Sequence, residues 1–203
     1  MDWHDEDILA LLTTDLDSNY DVLVVKYMGQ LCNYVEYKGA NSLDSQDIVI
    51  EVFERAYFRL KSYSNQQLME LRLRAWLYKI TDNLYINHVT RHRPPASVSL
   101  DTSEGSPLFA IEDDNLEQPE RLLESTESRQ ELEELVKALP IIFRDVIYLH
   151  FFADLTYQEI ADILNQKVGT IRTNVSRGLR VLRQMLEKRN SEEQGGKTTS
   201  YVQ

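Results

Sequence analysis

The chain is poor in what most enzymes are built around. Its 203 residues hold one cysteine, seven glycines and five prolines. The single cysteine, Cys32, excludes an intrachain disulfide and fits a reducing compartment. With so few glycines there is little room for phosphate-cradling loops, and neither a Walker loop nor a dinucleotide fingerprint occurs. Zinc-ligand spacing and a supported Ser/His/Asp arrangement are missing too. His88 and His92 stand four apart, but with no third ligand nearby two polar surface histidines are the better reading. No apolar run approaches the roughly 20 residues that cross a bilayer, so no membrane insertion is expected. The N-terminus, MDWHDEDILALL, is acidic where a secretory signal would be basic, which makes the expected location cytoplasmic. The expectation is a non-enzymatic protein without cofactor or metal.

Positive charge is also short. Against 33 acidic side chains stand 22 basic ones, a net charge of −11 that argues against a simple nucleic-acid binder. The charge is segregated, however. Residues 1–60 carry four basic and twelve acidic side chains, and residues 98–136 carry two and twelve. Residues 61–97 carry six basic and two acidic, and residues 137–190 nine and five. Two basic blocks alternate with two acidic ones. That pattern suggests two surfaces for DNA, an acidic connector, and an acidic surface that could face a basic protein.

The clearest local pattern is TYQEIADILNQKVGTIRTNVSRGLRVLRQML, Thr156 to Leu186. Thr156 can cap a helix, with Glu159 closing a capping box. Ile160, Ala161, Ile163 and Leu164 form its apolar face, and Asn165-Gln166-Lys167 is a short polar break. Val168, Ile171, Val175, Leu179, Leu182 and Leu186 then recur at steps of three and four, one face of a second helix with Thr170 as a cap near its start. The opposite face carries Arg172, Thr173, Asn174, Ser176, Arg177, Arg180 and Arg183. This is the helix-turn-helix pattern, whose second helix enters the major groove. Arginine reads guanine, asparagine reads adenine, and hydroxyls serve base or phosphate. Periodicity and charge alone weigh this about equally against an ordinary solvated helix face.

Upstream, residues 5–37 read as helix with a break at Asp17-Ser18-Asn19, and Gly39 is a C-terminal stop. Asp44 to Leu60 is a strong amphipathic helix. Lys61 to Glu70 reads as a polar loop. From Leu71 to Arg93 a helix has Trp76, Leu77, Ile80, Leu84 and Ile86 as candidate core and a polar, basic second half. Pro94-Pro95 stops it, and a Ser-, Gly- and acid-rich stretch reads as a linker. From Leu122 to Leu139 a helix resumes with Leu132, Leu135 and Leu139 inward, and Ile141 to Phe152 is an apolar helix behind the helix-turn-helix.

Three stretches carry a family resemblance. Ala138-Leu139-Pro140, Arg144 to His150, Leu155-Thr156-Tyr157-Gln158-Glu159-Ile160-Ala161, Gly169-Thr170-Ile171 and Arg177-Gly178 resemble region 4 of bacterial RNA polymerase sigma factors of the extracytoplasmic-function type, within the sigma-70 family. DSQDIVIEVFERAYFRL resembles the region 2.2 helix, with Ile50 where that family has glutamine. Ala75 to Ile80 followed by Asn83 resembles region 2.3, with Asn87 where an acidic residue is common.

The resemblance implies an all-α fold of two helical domains. Residues 1–95 would be region 2, 96–124 a flexible acidic linker, 125–190 region 4 and 191–203 a polar tail. It implies binding to core RNA polymerase, on its largest-subunit coiled coil through Asp47, Ile50, Glu51, Glu54 and Arg55, and on its flap. Promoter DNA would be the other partner. Thr170, Arg172, Thr173, Asn174, Ser176, Arg177 and Arg180 would read the −35 element. Tyr63, Ser64, Asn65, Lys79, Asn83, Asn87, Arg91 and Arg93 would serve the −10 element, with the 61–70 loop capturing a flipped base. Family members are often held inactive by an anti-sigma protein, and the resemblance admits one here. The alternative is a stand-alone helix-turn-helix regulator with an N-terminal sensing or dimerisation domain, which does not predict the patterns at 44–60 and 75–83.

Overall fold

A computed structural model describes residues 3–92 and 129–196. The expected linker at 96–124, Pro94-Pro95 and Arg93 lie outside the described residues, as does the chain beyond Gly196. Within them there is helix and no strand.

The N-terminal unit has five helices: α1 (Asp5–Thr14), α2 (Leu16–Tyr37), α3 (Ser42–Lys61), α4 (Asn65–Met69) and α5 (Leu73–His92). The α1–α2 break falls at Asp15, earlier than the expected Asp17-Ser18-Asn19. Asp15 accepts from the Asp17 and Ser18 backbone N–H groups, so it is the cap that starts α2. Gly39, at φ 108°, makes the left-handed turn after α2, and Asn41 caps α3 by accepting from Asp44 N. The core between α2, α3 and α5 is Leu23, Tyr27, Leu31 and Tyr34 against Val49, Val52, Ala56 and Leu60, closed by Leu77, Tyr78 and Leu84. Each such side chain contributes about 1.5–3 kcal/mol by burial. Ile86, expected in the core, is 51% exposed: it lies on the outer side of α5.

The C-terminal unit has α6 (Arg129–Lys137), α7 (Ile141–Ile147), a π-helical turn at Tyr148–Phe152, α8 (Tyr157–Leu164) and α9 (Val168–Gly196). Leu132, Leu135 and Leu139 are buried as expected. The helix after Pro140 is not uniformly apolar-buried. Ile141 and Ile142 are exposed at its start, and its end widens to the π form. Gly178 of α9 sits against α7: a Cβ there would lie 3.0 Å from Ile147 Cγ1 and 3.2 Å from Phe143 Cβ. That close approach sets the depth at which α9 seats. The same helix runs on to Gly196, through the start of the stretch expected as tail.

The two units are in direct contact, where the sequence suggested loosely tethered modules. Tyr34, Tyr37 and Tyr148 pack with ring centroids 4.5–5.4 Å apart, and the Tyr148 hydroxyl donates to Gln30 O. Arg144 donates to Tyr37 O at 2.9 Å. Aromatic pairs of this kind contribute about 0.5–1.5 kcal/mol beyond area burial.

Candidate nucleic-acid interface

The helix-turn-helix forms as its sequence dictates. Glu159 accepts from the Thr156 backbone N–H at 2.9 Å and hydroxyl at 2.7 Å, while Thr156 Oγ1 accepts from Glu159 N at 3.3 Å. Partial burial works against ionising Glu159, but the Thr156 groups and the Arg72 guanidinium together hold its carboxyl below the ordinary value. At the far end Asn165 takes the left-handed conformation (φ 52°), a role asparagine fills at helix ends, and Gln166 N donates to Ala161 O. The second helix then begins at Val168. Thr170 is therefore an exposed residue inside the first turn, not the cap.

Of the expected reading residues, Thr170, Arg172, Thr173, Ser176, Arg177 and Arg180 are exposed and Asn174 is half-buried. They share the outer face of α9, opposite buried Ile171, Val175 and Leu182. The Thr173 hydroxyl donates to Gly169 O, which leaves its oxygen as an acceptor. Arg172 is held by Tyr157, its guanidinium 6.0 Å from the ring centroid. Tyr157 was not singled out from the sequence. It lies fifteen positions away from Arg172 on another helix, and no local spacing links them.

On the N-terminal unit, Lys79, Asn83, Asn87 and Arg91 line up at steps of four along α5. The last three are exposed. Lys79 is engaged: its ammonium donates to the carbonyls of Asp162 (2.6 Å) and Ile163 (2.7 Å) at the end of α8. The expected 61–70 loop contains the short helix α4. Ser64 is its cap, accepting from Gln67 N, and Gln67 Oε1 accepts from Ser64 N in return. Asn65 is the first helical residue and exposed, and Tyr63 is half-buried with its ring 6.2 Å from Trp76. Three candidates thus stand together, with different surroundings. His88 faces the Asp44 carboxylate at 3.7 Å, and among the described residues no cluster of three metal-ligating side chains occurs.

The outer side of α3 presents Asp47, Ile50, Glu54 and Arg55 exposed, with Glu51 half-buried and ion-paired to Arg55. Ile50 is 51% exposed and shares its stripe with Leu43 and Phe58, the latter 72% exposed. Those two apolar residues extend the expected face and were absent from the sequence reading. Such exposed large apolar groups in a row between carboxylates suit a protein partner.

Behind these faces lies a buried charge cluster. Lys38 donates to Asp82 at 2.8 Å and to Asp145 at 2.9 Å, and Tyr34 donates to Asp82 at 3.1 Å. Burial disfavours the Lys38 ammonium, but Asp145 and Asp82 outweigh it and its pKa is raised. Burial raises Asp145, against the pull of Lys38. Burial also raises the thiol of half-buried Cys32. No helix among the described residues is long and apolar enough to cross a membrane.

Comparison with known proteins places these elements in a family. Residues 23–94 match the model for sigma-70 region 2, and residues 129–182 the model for sigma-70 region 4. The chain is 31% identical over 150 residues to the ECF RNA polymerase sigma factor SigW of Bacillus subtilis, covering 72% of this chain and 77% of that one. It is 32% identical over 168 residues to the ECF RNA polymerase sigma-E factor of Escherichia coli K12, covering 78% and 81%. Two solved structures share the fold at 18% identity and a TM-score of 0.57. They are CnrH in complex with the cytosolic domain of CnrY, covering 91% of this chain and 97% of that one, and the sigma factor RpoE of Bartonella quintana with the anti-sigma factor NepR, covering 83% and 97%.

Proposed function

The chain belongs to the sigma-70 family, in its extracytoplasmic-function group, and we propose that this transcription initiation factor selects promoters by reading a −35 and a −10 element on core RNA polymerase. The observation that carries the finer reading is the exposed polar face of α9, Arg172, Thr173, Ser176, Arg177 and Arg180, on a helix-turn-helix. In this reading Arg172 and Arg177 contact base edges, and the hydroxyls position the helix on phosphates. The line Asn83, Asn87 and Arg91, with Lys79 once released, faces the −10 strand. Tyr63, Ser64 and Asn65 stand where a flipped base would be held, against a stacking cost of a few kcal/mol. The α3 stripe around Asp47, Ile50, Glu51, Glu54 and Arg55 docks on the largest-subunit coiled coil, and the C-terminal unit on the flap.

No bond is made or broken by this protein in that scheme. Its work is differential binding. A chain of net charge −11 gains little from DNA alone. Once the polymerase fixes both units, binding of the second element is intramolecular and gains from effective concentration. An anti-sigma protein is a further proposed partner, since the two solved structures compared above hold a partner chain, one of them an anti-sigma factor by name.

The test is run-off transcription with bacterial core polymerase on a genomic promoter pool, with and without the protein. Defined starts that depend on the protein are expected. Absence of polymerase binding together with tight binding to duplex DNA alone would establish the stand-alone regulator instead.

A further inference from the structure

We propose that His150 and Tyr157 form an aromatic platform that aims the Arg172 guanidinium, and that they are positioning residues for the base read at one −35 position. The inference rests on reading α9 as the helix that enters the major groove. Three rings follow one another across the turn before α8. Phe151 meets His150 edge-on with centroids 4.7 Å apart, and His150 meets Tyr157 at 4.6 Å. The Arg172 guanidinium stands next in the row, 6.0 Å from the Tyr157 centroid.

The local backbone dictates where this row stands. The π-helical turn closes with Ala153 N donating to Tyr148 O at 3.1 Å. The chain then reverses at Asp154, which takes the left-handed conformation (φ 54°). Leu155 N donates to Leu149 O at 3.0 Å, and His150 Nδ1 lies 2.8 Å from Leu155 O. A carbonyl oxygen can only accept, so Nδ1 carries the hydrogen and one edge of the ring is fixed. Tyr157 is the first residue of α8, directly after the Thr156 cap, and is half-buried against the core. Both rings are thus fixed by contacts within the C-terminal unit.

An arginine can be aimed by a carboxylate or by a ring, and the two leave it in different states. A carboxylate claims the donors of the guanidinium fork and brings negative charge beside the phosphates. A ring attracts the cation without a directed acceptor, so the fork keeps the donors that a guanine edge needs. Glu159, two residues beyond Tyr157, is committed to Thr156 and Arg72. Among the described residues Arg172 has no ion pair, and Arg177 and Arg180 on the same face have neither an ion pair nor an aromatic partner. Arg172 is therefore the reader whose direction the fold sets before DNA arrives, which lowers the ordering cost of the correct contact.

The experiment uses the full chain with bacterial core polymerase. Run-off transcripts from a promoter pool randomised across the −35 element are sequenced, giving the base preference at each position. Arg172→Ala should erase the preference at one position. Tyr157→Leu should lower it at that same position by roughly two- to fivefold, the range of an exposed cation–π contact, and Tyr157→Phe, which keeps the ring, should restore it. His150→Ala should lower it by roughly twofold. In an Arg172→Ala background neither substitution should change the preference further, as for residues that act through the arginine. A loss with Tyr157→Phe equal to that with Tyr157→Leu would make the hydroxyl a direct DNA contact and overturn the platform. So would a loss spread evenly over all positions, which is what a loosened α8 gives. On the free chain, nuclear magnetic resonance reads the ring-current shift of the Arg172 side chain, assigned through Arg172→Lys. The shift should be present in the parent and in Tyr157→Phe and lost in Tyr157→Leu; its absence from the parent overturns the platform. A shift that responds as stated in a chain without any −35 preference would leave the platform standing and remove the promoter reading.

Discussion

The two faces proposed for DNA are prepared to different degrees. On α9 the expected reading residues other than half-buried Asn174 are exposed, and Arg172 is already steadied on Tyr157. On α5 the first of four aligned residues, Lys79, is committed to the end of α8, and only Asn83, Asn87 and Arg91 are open. Duplex DNA is already formed when the protein meets it, so a preformed helix face needs little reorganisation. A melted strand exists only after the polymerase has opened it, so a face that is released late loses nothing by waiting. The contrast also separates two kinds of support. The α9 face rests on close apolar packing, whereas the α5 face is governed by charge.

The largest way to break that contrast is at Lys38. Lys38→Met removes the cation between Asp82 and Asp145 and leaves two buried carboxylates together. A loss of about 3–5 kcal/mol is expected in urea denaturation followed by circular dichroism. A midpoint unchanged within error would mean that water reaches the cluster. Next is Gly178→Leu, which drives a side chain into Ile147 and Phe143. It should cost about 1–3 kcal/mol by overpacking and abolish −35-dependent starts, while spin labels confined to the N-terminal unit report no change.

A paired substitution sharpens the comparison directly. Arg177→Ala should lose about 1–3 kcal/mol of binding to its preferred −35 duplex and relax the choice of base at one position, as measured by binding selections on randomised sites. Lys79→Ala should leave base preference alone. On preopened −10 templates it should lower the salt slope of the polymerase complex by roughly one. If the two variants exchanged these signatures, the assignment of base reading to α9 and phosphate holding to α5 would be reversed.

What could be read in advance follows the range of the forces involved. The capping box of Thr156 and Glu159, the turn at Asn165 and the buried set Ile171, Val175 and Leu182 depend on neighbours within a few residues, and the sequence pattern carried them. Where the competing signal was also local, the reading erred by residues only: Asp15 capped α2 where Asp17 to Asn19 looked like the break, and Ser64 with Gln67 made a short helix of an apparent loop. Ile86 was misread because half a turn decides whether an apolar residue faces the core or the solvent, and α5 has polar residues on both sides of it. The Lys38 cluster was invisible for a different reason. Its partners lie 44 and 107 positions away, and a lysine beside a glycine turn reads as solvated. The contact between the two units shares that origin, since Tyr34, Tyr37 and Tyr148 each look like ordinary core residues of their own helices.

The smallest predicted effect tests the α9 side through its foundation. The Glu159 carboxyl is held below its ordinary value of 4.5, so it binds its proton less readily in the folded protein than in the unfolded chain. Its contribution is therefore fully present above the ordinary glutamate range and is lost as pH falls through the lowered pKa. Thr156→Ala removes both the hydroxyl that donates to Glu159 and the oxygen that accepts from Glu159 N. It should cost about 1 kcal/mol near neutrality, a normal value for a lost helix cap. Part of the gap between the two proteins should close in acid, because protonation weakens the box that only the parent retains. Unfolding curves of both proteins from pH 7 down to pH 3 would measure it. A gap that stayed constant in acid would show that the Thr156 hydroxyl works independently of the Glu159 charge. The first turn of α8 would then be anchored by the cap oxygen that accepts from Glu159 N.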